Sequence, residues 1–170
     1  MERNHKVSKK GQISDITFVM VSLTSIFITL LVAAYIYNQI DIGFSDSGIE
    51  TTESAKAYDD FEVAFGIFDT SFIFITIVLI VALLISSFAI PAHPVFLVIN
   101  IFGFLVLIFI GAIMSNLAYD VSIQEGINTS TSYFPASAYV VSKLPWIGAI
   151  MVLLSSIIMY SKVRSEGGYS

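Results

Sequence analysis

The sequence predicts an all-α integral membrane protein: four transmembrane helices in an antiparallel bundle, with both termini on the cytoplasmic side. Three observations lead to this fold class. Four apolar runs, at about 16–37, 65–90, 94–118 and 138–160, each exceed the ~18 residues expected of a span. Only 12% of the chain is charged and its mean hydropathy is +0.85, whereas soluble domains carry about 25% charged residues. The basic residues also fall unevenly. Arg3, Lys6, Lys9, Lys10, Lys162 and Arg164 flank the outermost runs, and Lys56 alone lies in the segments between runs one and two and between three and four. Basic residues stay on the cytoplasmic side of a membrane, and an even number of crossings returns the chain to its starting side.

Residues 1–15 form a basic cytoplasmic tail, 16–160 the transmembrane domain and 161–170 a second cytoplasmic tail. Helices are required because hydrocarbon leaves every backbone amide to be bonded within its own segment. The runs are apolar on both faces, unlike barrel strands, which alternate. Ser14 or Asp15 is placed to cap the first helix. The small residues of "VAAY" (Val32 to Tyr35) loosely resemble a signal cleavage site, but the apolar run is long and continues past them, so an uncleaved anchor is expected.

An acidic outer loop, 38–64, follows. Its first half, "DIGFSDSGIE", holds turn formers, while Tyr58, Phe61 and Phe65 recur in its second half at helical spacing. That half is expected to be an amphipathic helix feeding into span two. Its carboxylates read as a solvated face rather than a calcium loop, because no alternating ligand pattern is present. Pro91 and Pro94 mark a tight cytoplasmic turn that also holds His93. The second outer loop, 119–137, contains the glycosylation sequon Asn128-Thr129-Ser130. Tyr119, Tyr133, Phe134, Tyr139 and Trp146 gather near this boundary as an interfacial aromatic belt.

The chain has no cysteine, and its two histidines, His5 and His93, lie outside the runs. Haem ligation by a buried histidine and histidine-rich metal sites are therefore not expected. Asp69 is the only carboxylate within a run, so no acid–base pair forms there. No enzyme activity, catalytic residue, metal or cofactor is expected.

Small and weakly polar residues form stripes instead. Ser22, Ser25, Thr29 and Ala33 share a face of span one, and Asp69, Thr76, Ile80 and Ser87 one of span two. Span three offers Asn100, Leu107, Gly111 and Ser115, and span four Gly148, Ala149, Val152, Ser155 and Ser156. Small residues let helices approach closely, so these faces are read as packing surfaces rather than a pore lining. The intramembrane polar candidates are Asp69, Asn100, Asn116 and Lys143. By helical phase, Asp69 points into the bundle near Ser115 or Asn116. Lys143 lies opposite the Gly148 face and reaches the headgroups with its long stem, although Pro145 could twist that first turn.

The expected role is a small polytopic structural or accessory subunit of a larger membrane assembly, cellular or viral. A holin-like pore former and a small transporter are the alternatives. Expected partners are the lipid bilayer and other membrane subunits or further copies of the chain, with no nucleic acid. The plasma or inner membrane, or a virion membrane, is the expected location.

Overall fold

A computed structural model describes residues 12–48, 51–89 and 94–167. Among these residues every regular element is helical: α1 (Gln12–Ser47), α2 (Thr52–Ala89), α3 (Pro94–Ser122), a 3-10 helix (Asn128–Tyr133), α4 (Pro135–Ser142) and α5 (Leu144–Gly167). Four of the helices are long and apolar enough to cross a membrane, yet only 22–33% of each apolar window is buried. Phe18, Phe74, Phe102 and Phe109 are among the large side chains left exposed. Such surface suits hydrocarbon as the solvent.

Around the bundle the order is α1, α2, α5, α3, each packed against the next, with α3 returning to α1. Consecutive helices α2 and α3 do not touch among the described residues. The core runs along α1 through Ile16, Met20, Leu23, Phe27, Leu31 and Ala34, and continues into Leu107, Leu144 and Val152.

Two departures from the expected loops shape the molecule. The segment 38–64 is helical in its described residues except at the turn around Gly48 and Thr51. α1 has 36 residues and α2 has 38. At about 1.5 Å per residue each is far longer than the ~30 Å hydrocarbon layer. The turn formers of "DIGFSDS" do not end α1, because Tyr37 and Phe44 hold it against α2. The Tyr37 ring lies 5.5 Å from Tyr58, 5.4 Å from Phe61 and 5.4 Å from Phe65, and Phe44 lies 6.5 Å from Tyr58. The Tyr37 hydroxyl also donates to the Tyr58 carbonyl at 2.9 Å. The reversal comes at Gly48, whose φ of 66° is left-handed and suits glycine. Ser14 and Asp15 lie inside α1 rather than before it, with Asp15 in its first turn, where a carboxylate complements the helix dipole.

The second departure is in the fourth run, where 138–160 is two helices rather than one. Pro145 has no N–H to offer Val141, and its ring crowds that carbonyl. The chain therefore breaks at Lys143, with φ −100° and ψ 6°, and the Lys143 N–H donates to the Val140 carbonyl at 3.1 Å. The break carries Leu144 into the core at 0% exposure. It also brings the α5 backbone against α3, where a Cβ on Gly111 would lie 2.9 Å from Pro145 Cα. The proline turn expected around His93 and residues 1–11 of the basic tail expected over 1–15 lie outside the described residues, and 12–15 already belong to α1.

This close approach makes a paired prediction. Gly111→Ala should destabilise the protein by about 1–3 kcal/mol, because the opposing atoms are backbone and cannot swing away. Gly66→Ala, where a Cβ meets nothing within 4 Å, should stabilise α2 by about 0.5–1 kcal/mol. Thermal unfolding in a mild detergent measures both. Equal and small effects at the two sites would contradict the α3–α5 packing.

Candidate functional site

The densest polar arrangement lies where α2 meets the start of α4. Pro135 occupies the first turn of α4, where its fixed φ and missing N–H cost nothing. The preceding residue, Phe134, has no side chain able to cap the helix. Asp69 of α2 supplies the cap from outside. Its Oδ2 accepts from the Ala136 N–H at 3.0 Å, and its Oδ1 accepts from the Ser137 N–H at 2.7 Å and the Ser137 hydroxyl at 2.6 Å. These are the free amides that an N-cap normally satisfies from its own chain segment. Asp69 is 6% exposed and Ser137 0% exposed, so a carboxylate that would be costly to bury alone is fully engaged by donors.

A polar and aromatic lid closes the same end of the bundle. Phe65 of α2 stacks 5.5 Å from both Tyr133 and Phe134. Asn38 of α1 donates to the Ser130 hydroxyl and accepts from the Tyr133 phenol, each at 3.3 Å. Burial, then the carboxylates of Glu62 and Asp41, push the Tyr133 phenol pKa up, so it keeps its proton and donates. Gly126, with φ 89°, turns the chain where a Cβ would come within 2.8 Å of the Tyr35 ring.

The structure separates Lys143 from Asp69. Lys143 is exposed at the α4–α5 break, its ammonium 5.7 Å from the centre of the Tyr139 ring. Asp69 faces the interior but bonds to α4 rather than to Ser115 or Asn116. Ser115 instead donates to the Ser142 carbonyl at 3.3 Å, and Asn116 is exposed. Asn100 belongs to α3, but its side chain lies outside those described.

Among the proposed packing residues, Thr76, Gly111, Gly148 and Ser155 are buried. Thr76 donates to the Phe72 carbonyl at 2.8 Å, and a Cβ on Gly148 would overlap the Met20 methyl. Ser155 is 1% exposed, and its hydroxyl has no partner among the described residues. Ser25 and Thr29 stand on the exposed side of α1, whose buried face carries Met20, Leu23, Phe27 and Leu31 instead.

Phe134, expected in the interfacial aromatic belt, is instead buried at 0% exposure, as is Ser130 of the sequon; Ser137, also at 0%, carried no signal in the sequence. Pro135 following an aromatic residue was the only local signal that a helix begins there. Among the described residues no three His, Cys, Asp or Glu side chains converge as metal ligands would. No known protein family matches this chain, and no characterised protein or solved structure is detectably similar to it.

Removing the Asp69 carboxylate should leave the first amides of α4 buried and unpaired. We expect Asp69→Ala to cost about 2–4 kcal/mol, and Ser137→Ala, which removes one donor of three, about 1 kcal/mol. Lys143→Gln should change stability by less than about 0.5 kcal/mol and be additive with Asp69→Asn, since the two side chains share no contact. Coupling above about 1 kcal/mol in that cycle would contradict the separation.

Proposed function

We propose that the protein is a non-catalytic structural or accessory subunit of a membrane assembly, joined to other subunits through the α1–α2 hairpin. One observation carries this reading. The hairpin extends both helices beyond the length of a span, and aromatic stacking clamps it. It leaves Ile40, Ile42, Phe44, Phe61 and Val63 between 41% and 64% exposed, beside the exposed carboxylates of Asp46, Asp59 and Asp60. Large apolar side chains on a rigid acidic arm outside hydrocarbon suit a protein partner that is apolar at its centre and basic at its rim. The polar groups nearer the bundle centre are consistent with this role, since Asp69, Thr24, Thr76 and Ser87 are all engaged in helix bonds.

The break in the fourth run favours a second reading, a small transporter, because transporters use discontinuous helices to bind substrate. Here, however, the start of α4 is already occupied by Asp69, and the start of α5 is packed on Gly111. A holin-like pore former would use the exposed face with Ser25, Thr29 and Ala33 to self-associate.

Particle mass in mild detergent distinguishes the three. Protein taken from its native membrane should migrate well above its 18.6 kDa mass plus the micelle, together with other defined chains. Ile42→Asp with Val63→Asp should release it as a monomer that unfolds at the unchanged temperature. A homo-oligomer with conductance, or a monomer that moves solute across vesicles, would overturn the subunit reading.

The proposed topology has the hairpin outside and both termini in the cytoplasm, supported by the basic tails. A membrane-impermeant thiol reagent applied to intact cells should label Ser47→Cys and Ser132→Cys but not Ser165→Cys. All three positions are exposed, so labelling of the last would reverse the topology.

A further inference from the structure

A groove of ≈ 410 Å³ opens beside α4, and the capping of α4 does not account for it. That volume lies within the ~300–1,000 Å³ common for small-molecule sites. Its floor is apolar, made by Phe27 of α1, Ala118 of α3 and Val141 of α4, each 2% exposed. Its rim is different in kind. Tyr119 and Tyr139 stand 63% and 67% exposed at its mouth, with Ser142 beside them. Exposed tyrosines flanking apolar surface, with Trp146 at 69% exposure a few residues further on, mark the level at which headgroups meet hydrocarbon.

Lys143 adds charge to this mouth. It follows Ser142 directly at the helix break, and its ammonium sits 5.7 Å from the ring of the rim residue Tyr139. Asp69 is turned away to α4. Neither Lys143 nor the exposed Asp120, next to Tyr119 in sequence, lines the groove itself, but the Lys143 ammonium lies against the ring of the rim residue Tyr139. The site therefore presents a cation beside two rim tyrosines and a largely apolar hollow that Ser115, Ser122 and Thr131 also line.

We infer that this groove holds one anionic phospholipid, its phosphate at Lys143 and its upper acyl carbons on Phe27, Ala118 and Val141. Charge complementarity selects the occupant. A lysine at a membrane surface attracts an anionic lipid by about 1 kcal/mol, roughly a fivefold preference. Elsewhere this end of the bundle is acidic: the segment 38–64 carries Asp41, Asp46, Glu50, Glu53, Asp59, Asp60 and Glu62 against Lys56. A general electrostatic attraction would therefore run the other way, so anionic lipid retained here must be held by the groove itself. The inference stands independently of the subunit role of the hairpin.

Native mass spectrometry of the full chain, exchanged into detergent with phosphatidylglycerol or phosphatidylcholine, tests it. One phosphatidylglycerol should be retained about fivefold more strongly than phosphatidylcholine. Lys143→Gln should abolish the preference, and Ala138→Leu, which fills the groove, should reduce retention of both lipids. Ser142→Leu at the exposed rim serves as a second filling variant should Ala138→Leu fail to fold. Equal retention of the two lipids by the unaltered chain would overturn the proposal, as would a preference that survives Lys143→Gln. Displacement of the lipid by inorganic phosphate alone would overturn it too, because the acyl contacts would then contribute nothing.

Discussion

The Asp69 carboxylate is the point on which the arrangement of this bundle depends. Buried within the protein, a carboxylate must find donors, and the first turn of a helix has amides that must find acceptors. α2 carries the former and α4 the latter, and each removes the other's cost. Three bonds to Ala136 and Ser137 fix the entry of α4 against α2. With that entry held, the break that Pro145 imposes after α4 falls at a fixed place in the bundle. The chain turns at Lys143, Leu144 drops into the core, and Pro145 comes to rest on Gly111. The Asp69 cap and the Pro145 break together position the backbone contact between α3 and α5.

The lid and the hairpin follow from the same geometry. Phe134, immediately before α4, meets Phe65 one helical turn before Asp69, so the cap and the aromatic contact reinforce each other. Tyr133 and Ser130 then reach Asn38 of α1, which ties the 3-10 helix to the helix on the far side. Beyond that layer, Tyr37, Phe44, Tyr58 and Phe61 keep α1 and α2 together as a stiff arm. An arm held this way keeps its apolar side chains exposed rather than folding them back, which is the physical basis of the proposal that a partner binds it. The groove proposed for lipid lies along α4, where the turn at Lys143 places a cation beside a largely apolar hollow.

Much of this could be read from the residues themselves, and the exceptions have definite causes. Four helices long and apolar enough to span a membrane follow from apolar length alone, and the spacing of Tyr58, Phe61 and Phe65 indicates the helix that α2 forms before its apolar run. The inward direction of Asp69 follows from its phase with Thr76 and Ser87, and all three are buried. The partner of Asp69 was not legible, because backbone amides exist at every residue and leave no side-chain signature. The extension of α1 was hidden by Gly43, Asp46 and Ser47, which suggest a turn. Helix propensity is a weak prior that long-range aromatic contacts override. Nor does the exposed placement of Ser25 and Thr29 show in composition. In a membrane, apolar residues face either neighbour or lipid, so small size alone does not identify the contact face. Pro145 did signal a disturbance, but the sequence held no indication that Gly111 would receive it.

Residue-resolved amide hydrogen exchange at Ala136 and Ser137 tests the central claim most directly. If Asp69 caps α4, both amides should exchange slowly in the unaltered protein. In Asp69→Asn, which keeps the shape and removes the charge, both should exchange at least about tenfold faster, the signature of some 1.4 kcal/mol of lost protection. Amides near Leu107 in the middle of α3 should be unaffected. Fast exchange of Ala136 and Ser137 in the unaltered protein, or identical rates with and without the carboxylate, would contradict the account.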